Sequence, residues 1–75
     1  MANVPVLSPR EVIRTFEKFG WEIARQRGSH IILTKEQHIA TLSVPKHTTV
    51  ARGTLRSLIA RADITVNEFL NALKN

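Results

Sequence analysis

The sequence predicts an α+β domain with two layers: a helix, three antiparallel strands, a second helix and a short C-terminal helix, in the order α-β-β-β-α plus the short helix. Three observations predict it. A capped amphipathic helix opens the chain, three apolar or β-branched runs separated by polar turns follow, and helical apolar spacing returns in the last third. Helices on one face of a three-stranded antiparallel sheet leave the other face open. No linker divides the chain, so we expect a single domain over residues 1–75.

The first helix begins with a capping signal. Ser8 stands at the cap, Pro9 at the first helical position, and Glu11 three residues after the cap. This arrangement is a capping box, with Pro where its missing N–H does no harm. Apolar residues then recur at helical spacing, at Val12, Phe16 and Phe19. Gly20 is the expected stop signal.

Three strands are predicted over residues 21–26, 30–34 and 39–44. Residues 27–29 and 35–38 have turn composition, and Pro45 ends the third strand. If the second turn centres between Glu36 and Gln37, alternation assigns every side chain to a face. The face expected to meet the core carries Ile31, Leu33, Ala40, Leu42 and Val44. The face expected to meet solvent carries His30, Ile32, Thr34, Ile39, Thr41 and Ser43.

The last third of the chain is predicted to be helical. A core stripe at helical spacing is formed by Leu55, Leu58, Ile59 and Ala62. Asp63 and Ile64 end this helix. Thr65 and Glu68 form a second capping box, which begins the short last helix.

Composition excludes several classes of protein. Eleven Lys and Arg residues against six Asp and Glu give a net charge of +5, and there is no cysteine. Disulfides, thiolate metal sites and cysteine nucleophiles are therefore excluded. The carboxylates are scattered, which disfavours a two-metal nuclease and a two-carboxylate glycosidase. The N-terminus has no signal-peptide pattern and no apolar run approaches the roughly 20 residues of a membrane span, so the expected location is cytoplasmic, away from the membrane.

Histidine is the remaining source of chemistry. His30 follows Gly28 and Ser29, and Arg25 and Arg27 come just before it. An exposed imidazole beside cationic groups suits proton transfer at a phosphodiester, although a strand residue facing solvent has the same pattern. His47 is a candidate auxiliary acid, base or positioning group, or an ordinary loop residue. His38 is expected to be structural or solvated, and the three histidines fit no zinc motif, so no metal site is expected.

Positive charge is concentrated in the middle of the chain. Between residues 25 and 56 there are six Lys and Arg residues and one acid, Glu36. The candidate phosphate contacts are Arg25, Arg27, Lys46, Arg52 and Arg56. The amides around Gly53 and Thr54 either bind an anion or simply cap the second helix.

Several motifs in order resemble the HicA-type toxins of the YcfA-like family. They are 9–13 (PREVI), 19–21 (FGW), 25–30 (RQRGSH, with the signature Gly-Ser-His), 44–47 (VPKH), 53–58 (GTLRSL) and 68–70 (EFL). The resemblance implies a fold similar to a double-stranded-RNA-binding domain. It also implies a toxin that cleaves mRNA without a metal or a small-molecule cofactor. The catalytic histidine would be His30, with Ser29 beside it. The implied partner is a HicB-type antitoxin that blocks the active surface. Where the family often has a Gly after the second helix, this chain reads Ala62-Asp63-Ile64.

Three functions follow as hypotheses. The first is an endoribonuclease, an mRNA interferase in which His30 moves a proton. The second is a non-catalytic RNA-binding module that uses the same basic face. The third is a protein-interaction domain whose basic face is neutralised by an acidic partner.

Overall fold

The computed structural model describes residues 3–75 and confirms the predicted α+β architecture. The helices and strands are α1 (Pro9–Glu17), β1 (Glu22–Arg27), β2 (His30–Thr34), β3 (Leu42–Pro45), α2 (Arg52–Arg61) and α3 (Val66–Lys74). The strands form one antiparallel sheet in the order β1-β2-β3. Met1 and Ala2, which the expected domain of residues 1–75 includes, lie outside the described residues.

Both predicted capping boxes are present. In α1 the Ser8 hydroxyl accepts from the Glu11 N–H at 3.2 Å, and the Glu11 carboxylate accepts from the Ser8 N–H at 3.0 Å. The Ser8 backbone N–H, and after it the Ser8 hydroxyl, stabilise the ionised carboxylate and lower the pKa of Glu11. The equivalent pair in α3 joins Thr65 and Glu68 at 3.0 and 2.7 Å. Local sequence therefore defines where both helices begin.

Helix α2 begins before Gly53 and Thr54, the residues that were one candidate for its cap. Its N-cap residue is Ala51, and within residues 3–75 no side chain caps it. Gly53 and Thr54 lie inside the first turn, so the interpretation that they cap the helix is wrong. The predicted core stripe is confirmed, because Leu55, Leu58, Ile59 and Ala62 are all buried.

The third strand is shorter than predicted, and the register differs by two residues. Leu33 pairs with Leu42 and Ile31 with Val44, whereas the predicted turn would pair Leu33 with Ala40. Residues 39–41 lie outside the strand. The physical reason is a longer connection over residues 35–41, in which Gln37 takes a φ of 65°. A shift of two residues keeps the side chains of residues 30–33 and 42–44 on their predicted faces.

The core therefore lies on the predicted side of the sheet. Leu33, Leu42 and Val44 are fully buried in one cluster with residues of the three helices. One assignment is wrong: Ile32, expected to face solvent, is only 7% exposed. It lies on the central strand between Arg25 and Ser43, does not belong to the core cluster, and is shielded by its position between two strands.

The helices cover β3 and leave β1 at the margin. Both α1 and α2 pack against β3, and the Phe16 and Phe69 rings join α1 to α3 with centroids 5.1 Å apart. Lys18 donates to the carbonyls of Ala72 and Asn75 at 2.6 and 2.7 Å, which satisfies the end of α3. All six residues of β1 are exposed. Across residues 3–75, each helix is too short or too polar to cross a membrane.

Candidate functional site

A tight turn fixes the position of His30. Gly28 has a φ of 58° and precedes Ser29, whose φ is not positive. This is the pattern of a type II′ turn, which requires a positive φ at its first central residue and suits the twist of a hairpin. The turn joins Arg27 to His30, and these two residues are directly paired across the hairpin.

The open face of the sheet carries His30 together with Arg25 and Arg27. Arg27 pairs with His30 and Arg25 with Ile32, and directly paired residues project to the same side, with Cβ atoms about 5 Å apart. All three polar side chains are exposed. Within residues 3–75 none of them forms a side-chain hydrogen bond or ion pair, so their donors are available to a ligand.

The end of β3 brings the auxiliary candidates to the same edge. The Lys46 N–H donates to the Ser29 carbonyl at 2.6 Å, and Pro45 pairs with His30. His47 is exposed and lies two residues beyond Pro45. The Lys46–Ser29 bond therefore holds the turn against the end of β3, and His47 follows that end by two residues.

Lys46 lies on the opposite side of the sheet from His30. Alternation from the buried Val44 directs its side chain to the helix layer, where it lines a groove with residues of α1. The candidate cations are consequently divided between the two faces of the sheet.

Arg52 and Arg56 form a third group at the start of α2. The Arg52 Nε donates to the Val4 carbonyl at 3.1 Å, so this side chain also holds the N-terminal segment in place. The two arginines line a cleft of about 520 Å³ together with Asn3, Pro5 and Gly53. Since the guanidinium of Arg52 has further N–H groups, it retains donors for an anion.

His38 has a structural role, which is one of the two roles expected for it from the sequence. The Ala40 N–H donates to its Nδ1 at 3.2 Å, so Nε2 carries the proton and donates to the Asp63 carboxylate at 3.0 Å. Its ring packs on Trp21 with centroids 4.9 Å apart. Sequence reasoning missed this cluster because Asp63 is distant in the chain.

No three His, Asp or Glu side chains converge as a metal site within the part of the chain that the structure describes.

The chain matches a protein-family model. The family model described as the HicA toxin of bacterial toxin–antitoxin systems matches residues 9–64. The matched region runs from α1 through Ile64 and includes the turn at Gly28, His30 and the whole of α2. No curated protein and no solved structure matches the chain.

Proposed function

Since the chain belongs to the HicA toxin family, and is thus the toxin of a toxin–antitoxin system, we propose that it cleaves messenger RNA as an endoribonuclease with His30 as the catalytic residue. The observation that carries the proposal is the pairing of His30 with Arg27 on the uncovered face of the sheet. An exposed imidazole beside a guanidinium offers a proton carrier and a phosphate ligand at one point.

The proposed reaction is an internal transfer at phosphorus. The ribose 2′-oxygen forms a bond to the adjacent phosphorus while the bond from phosphorus to the 5′-oxygen breaks, which leaves a 2′,3′-cyclic phosphate and a 5′-hydroxyl. His30 either accepts the 2′-hydroxyl proton or donates a proton to the leaving 5′-oxygen. The other transfer falls to a second group, for which His47 or water is the candidate. This chemistry requires no metal ion, and DNA lacks the hydroxyl that it uses.

Arginine supplies the proposed binding of the phosphate backbone. Arg25 and Arg27 are the nearest cations to His30 by strand register and would stabilise charge on the reacting phosphate. Arg52, Arg56 and Lys46 would contact phosphates farther along the RNA. Ser29 would position the RNA strand near the β1–β2 turn.

The proposed partner is a HicB-type antitoxin. The family places the chain in a toxin–antitoxin system, and the net charge of +5 suits an acidic inhibitor that competes with RNA. We place the toxin in the cytoplasm, where mRNA is its substrate.

Cleavage of a labelled RNA in excess chelator tests this proposal. The wild type should cleave RNA and spare DNA of the same sequence. The His30→Ala variant should lose about 10²–10⁴-fold in rate, as expected for loss of a general acid or base. Ser43→Ala, an exposed position on the same face, is the matched control and should cleave normally. His47→Ala should have the smaller effect of an auxiliary group.

Two results would favour the rival functions. RNA binding without cleavage by the wild type would indicate a non-catalytic RNA-binding module. If the wild type neither binds nor cleaves RNA, the protein-interaction hypothesis is the one left. Full activity in His30→Ala would remove the catalytic assignment.

A further inference from the structure

A groove of about 530 Å³ lies between α1 and the inner side of the β1–β2 hairpin. Its floor is apolar and is formed by Ile13, Ile23 and Ile31. It is on the helix side of the sheet, because Ile23 pairs with Leu33, which lies in the core. The groove and the proposed catalytic residue therefore occupy opposite faces of the same sheet.

The groove exists because β1 extends past the helix layer. Since α1 packs on β3 and α3, the inner side of β1 is left without a covering helix. Ile23 is 53% exposed there. A large branched side chain half in water next to two further isoleucines is the arrangement that a partner's apolar side chain would bury.

The rim of the groove is basic. Arg10, Arg14 and Lys46 surround the apolar floor, with one acid, Glu17. Within residues 3–75 no Lys or Arg side-chain nitrogen lies within 4 Å of an Asp or Glu carboxylate oxygen, so the three rim cations have no carboxylate partner among these residues. Cations around aliphatic groups favour an acidic protein segment over RNA, because the floor offers bases neither an aromatic ring nor a hydrogen bond.

We propose that this groove binds an acidic segment of the antitoxin, which places a branched apolar side chain on the isoleucine floor and carboxylates against the rim. The inference rests on the proposed function for the identity of the partner. It gives the toxin a second docking site in addition to the His30 face that the antitoxin blocks. Substitutions at Ile23 and Arg10, which have no proposed RNA contact, therefore weaken the antitoxin complex and leave RNA cleavage intact.

Calorimetric titration with the protein encoded by the adjacent reading frame tests the groove. Ile23→Thr removes floor area but keeps a β-branched residue in the strand. Arg10→Glu reverses a rim charge and places an acid in the first turn of α1, where it favours the helix. Each should weaken the complex by about tenfold or more. The matched controls are Ile39→Thr, at a fully exposed isoleucine, and Arg61→Glu, at an exposed arginine, both outside the groove.

RNA cleavage by each variant completes the test. Loss of partner affinity in both groove variants, with unchanged cleavage and unchanged controls, supports the proposal. Equal affinity in wild type and groove variants overturns it, as does a wild type that binds no such partner. Loss of RNA cleavage in the groove variants also overturns it, because the groove would then serve RNA. Failure of the wild type to cleave RNA counts separately, against the proposed function.

Discussion

Asp63 has a left-handed backbone conformation, and its carboxylate accepts a hydrogen bond. Its φ is 61°, a conformation that costs residues with a side chain more than it costs glycine. The carboxylate accepts a hydrogen bond from His38, whose ring packs on Trp21. A glycine at this position would fit the backbone but would offer no acceptor. Aspartate here therefore accepts an unfavourable backbone conformation, and its carboxylate in return holds the loop over residues 35–41 through His38.

Two substitutions separate these contributions. Asp63→Gly and Asp63→Ala both remove the carboxylate, but only glycine relieves the positive φ. We expect the free energy of unfolding of Asp63→Ala to be about 1 kcal/mol lower than that of Asp63→Gly. Urea denaturation of both variants measures the difference. Equal stabilities would mean that the backbone at this position is not strained.

The β1–β2 hairpin is the element on which the proposed site depends. Its turn sets the pairing of Arg27 with His30, and Gly28 supplies the positive φ that the turn requires. A Cβ at Gly28 would meet no atom within 4 Å. The requirement for glycine is therefore conformational and not steric.

Substitution of Gly28 should affect both folding and activity. Gly28→Ala should destabilise the protein by about 1–2 kcal/mol, because alanine disfavours a positive φ, and should lower RNA cleavage by disturbing the pair at His30. Gly53→Ala is the matched control: its Cβ also meets open space, but it lies in α2 without a positive φ, so it should be neutral or slightly stabilising. Thermal unfolding and the cleavage rate report both effects. A Gly28→Ala variant with wild-type stability would contradict the turn assignment.

The whole molecule has its helices on one side of the sheet. That arrangement buries Leu33, Leu42 and Val44, leaves the His30 face without a covering layer, and opens the groove where β1 passes beyond α1. A chain of 75 residues thus presents two separate surfaces. We assign the His30 face to RNA, which the antitoxin excludes, and the groove to a docking segment of that antitoxin.

Much of this fold could be predicted because its signals are local. The capping boxes at Ser8 and Thr65 depend on residues three positions apart. The core face of the sheet was predicted despite the wrong register, since a shift of two residues preserves alternation. A short run of sequence predicts the hairpin at Gly28, although Arg27, expected in the turn, is the last residue of β1.

The features that the sequence did not reveal depend on distant contacts. The start of β3 at Leu42 depends on a loop that His38 anchors to Asp63, 25 residues away. The side on which Lys46 projects follows from where β3 ends. The groove requires the placement of α1 relative to Ile23, which alternation within one strand does not specify.

The most direct measurement of the central claim is the chemistry of the cut RNA ends. Mass spectrometry of the products made by the wild-type protein in excess chelator would identify the terminal groups. If His30 promotes attack by the 2′-hydroxyl, the upstream product should end in a 2′,3′-cyclic phosphate and the downstream product should begin with a 5′-hydroxyl. A 3′-hydroxyl with a 5′-phosphate would contradict the account, because water would then have attacked the phosphate in place of the ribose.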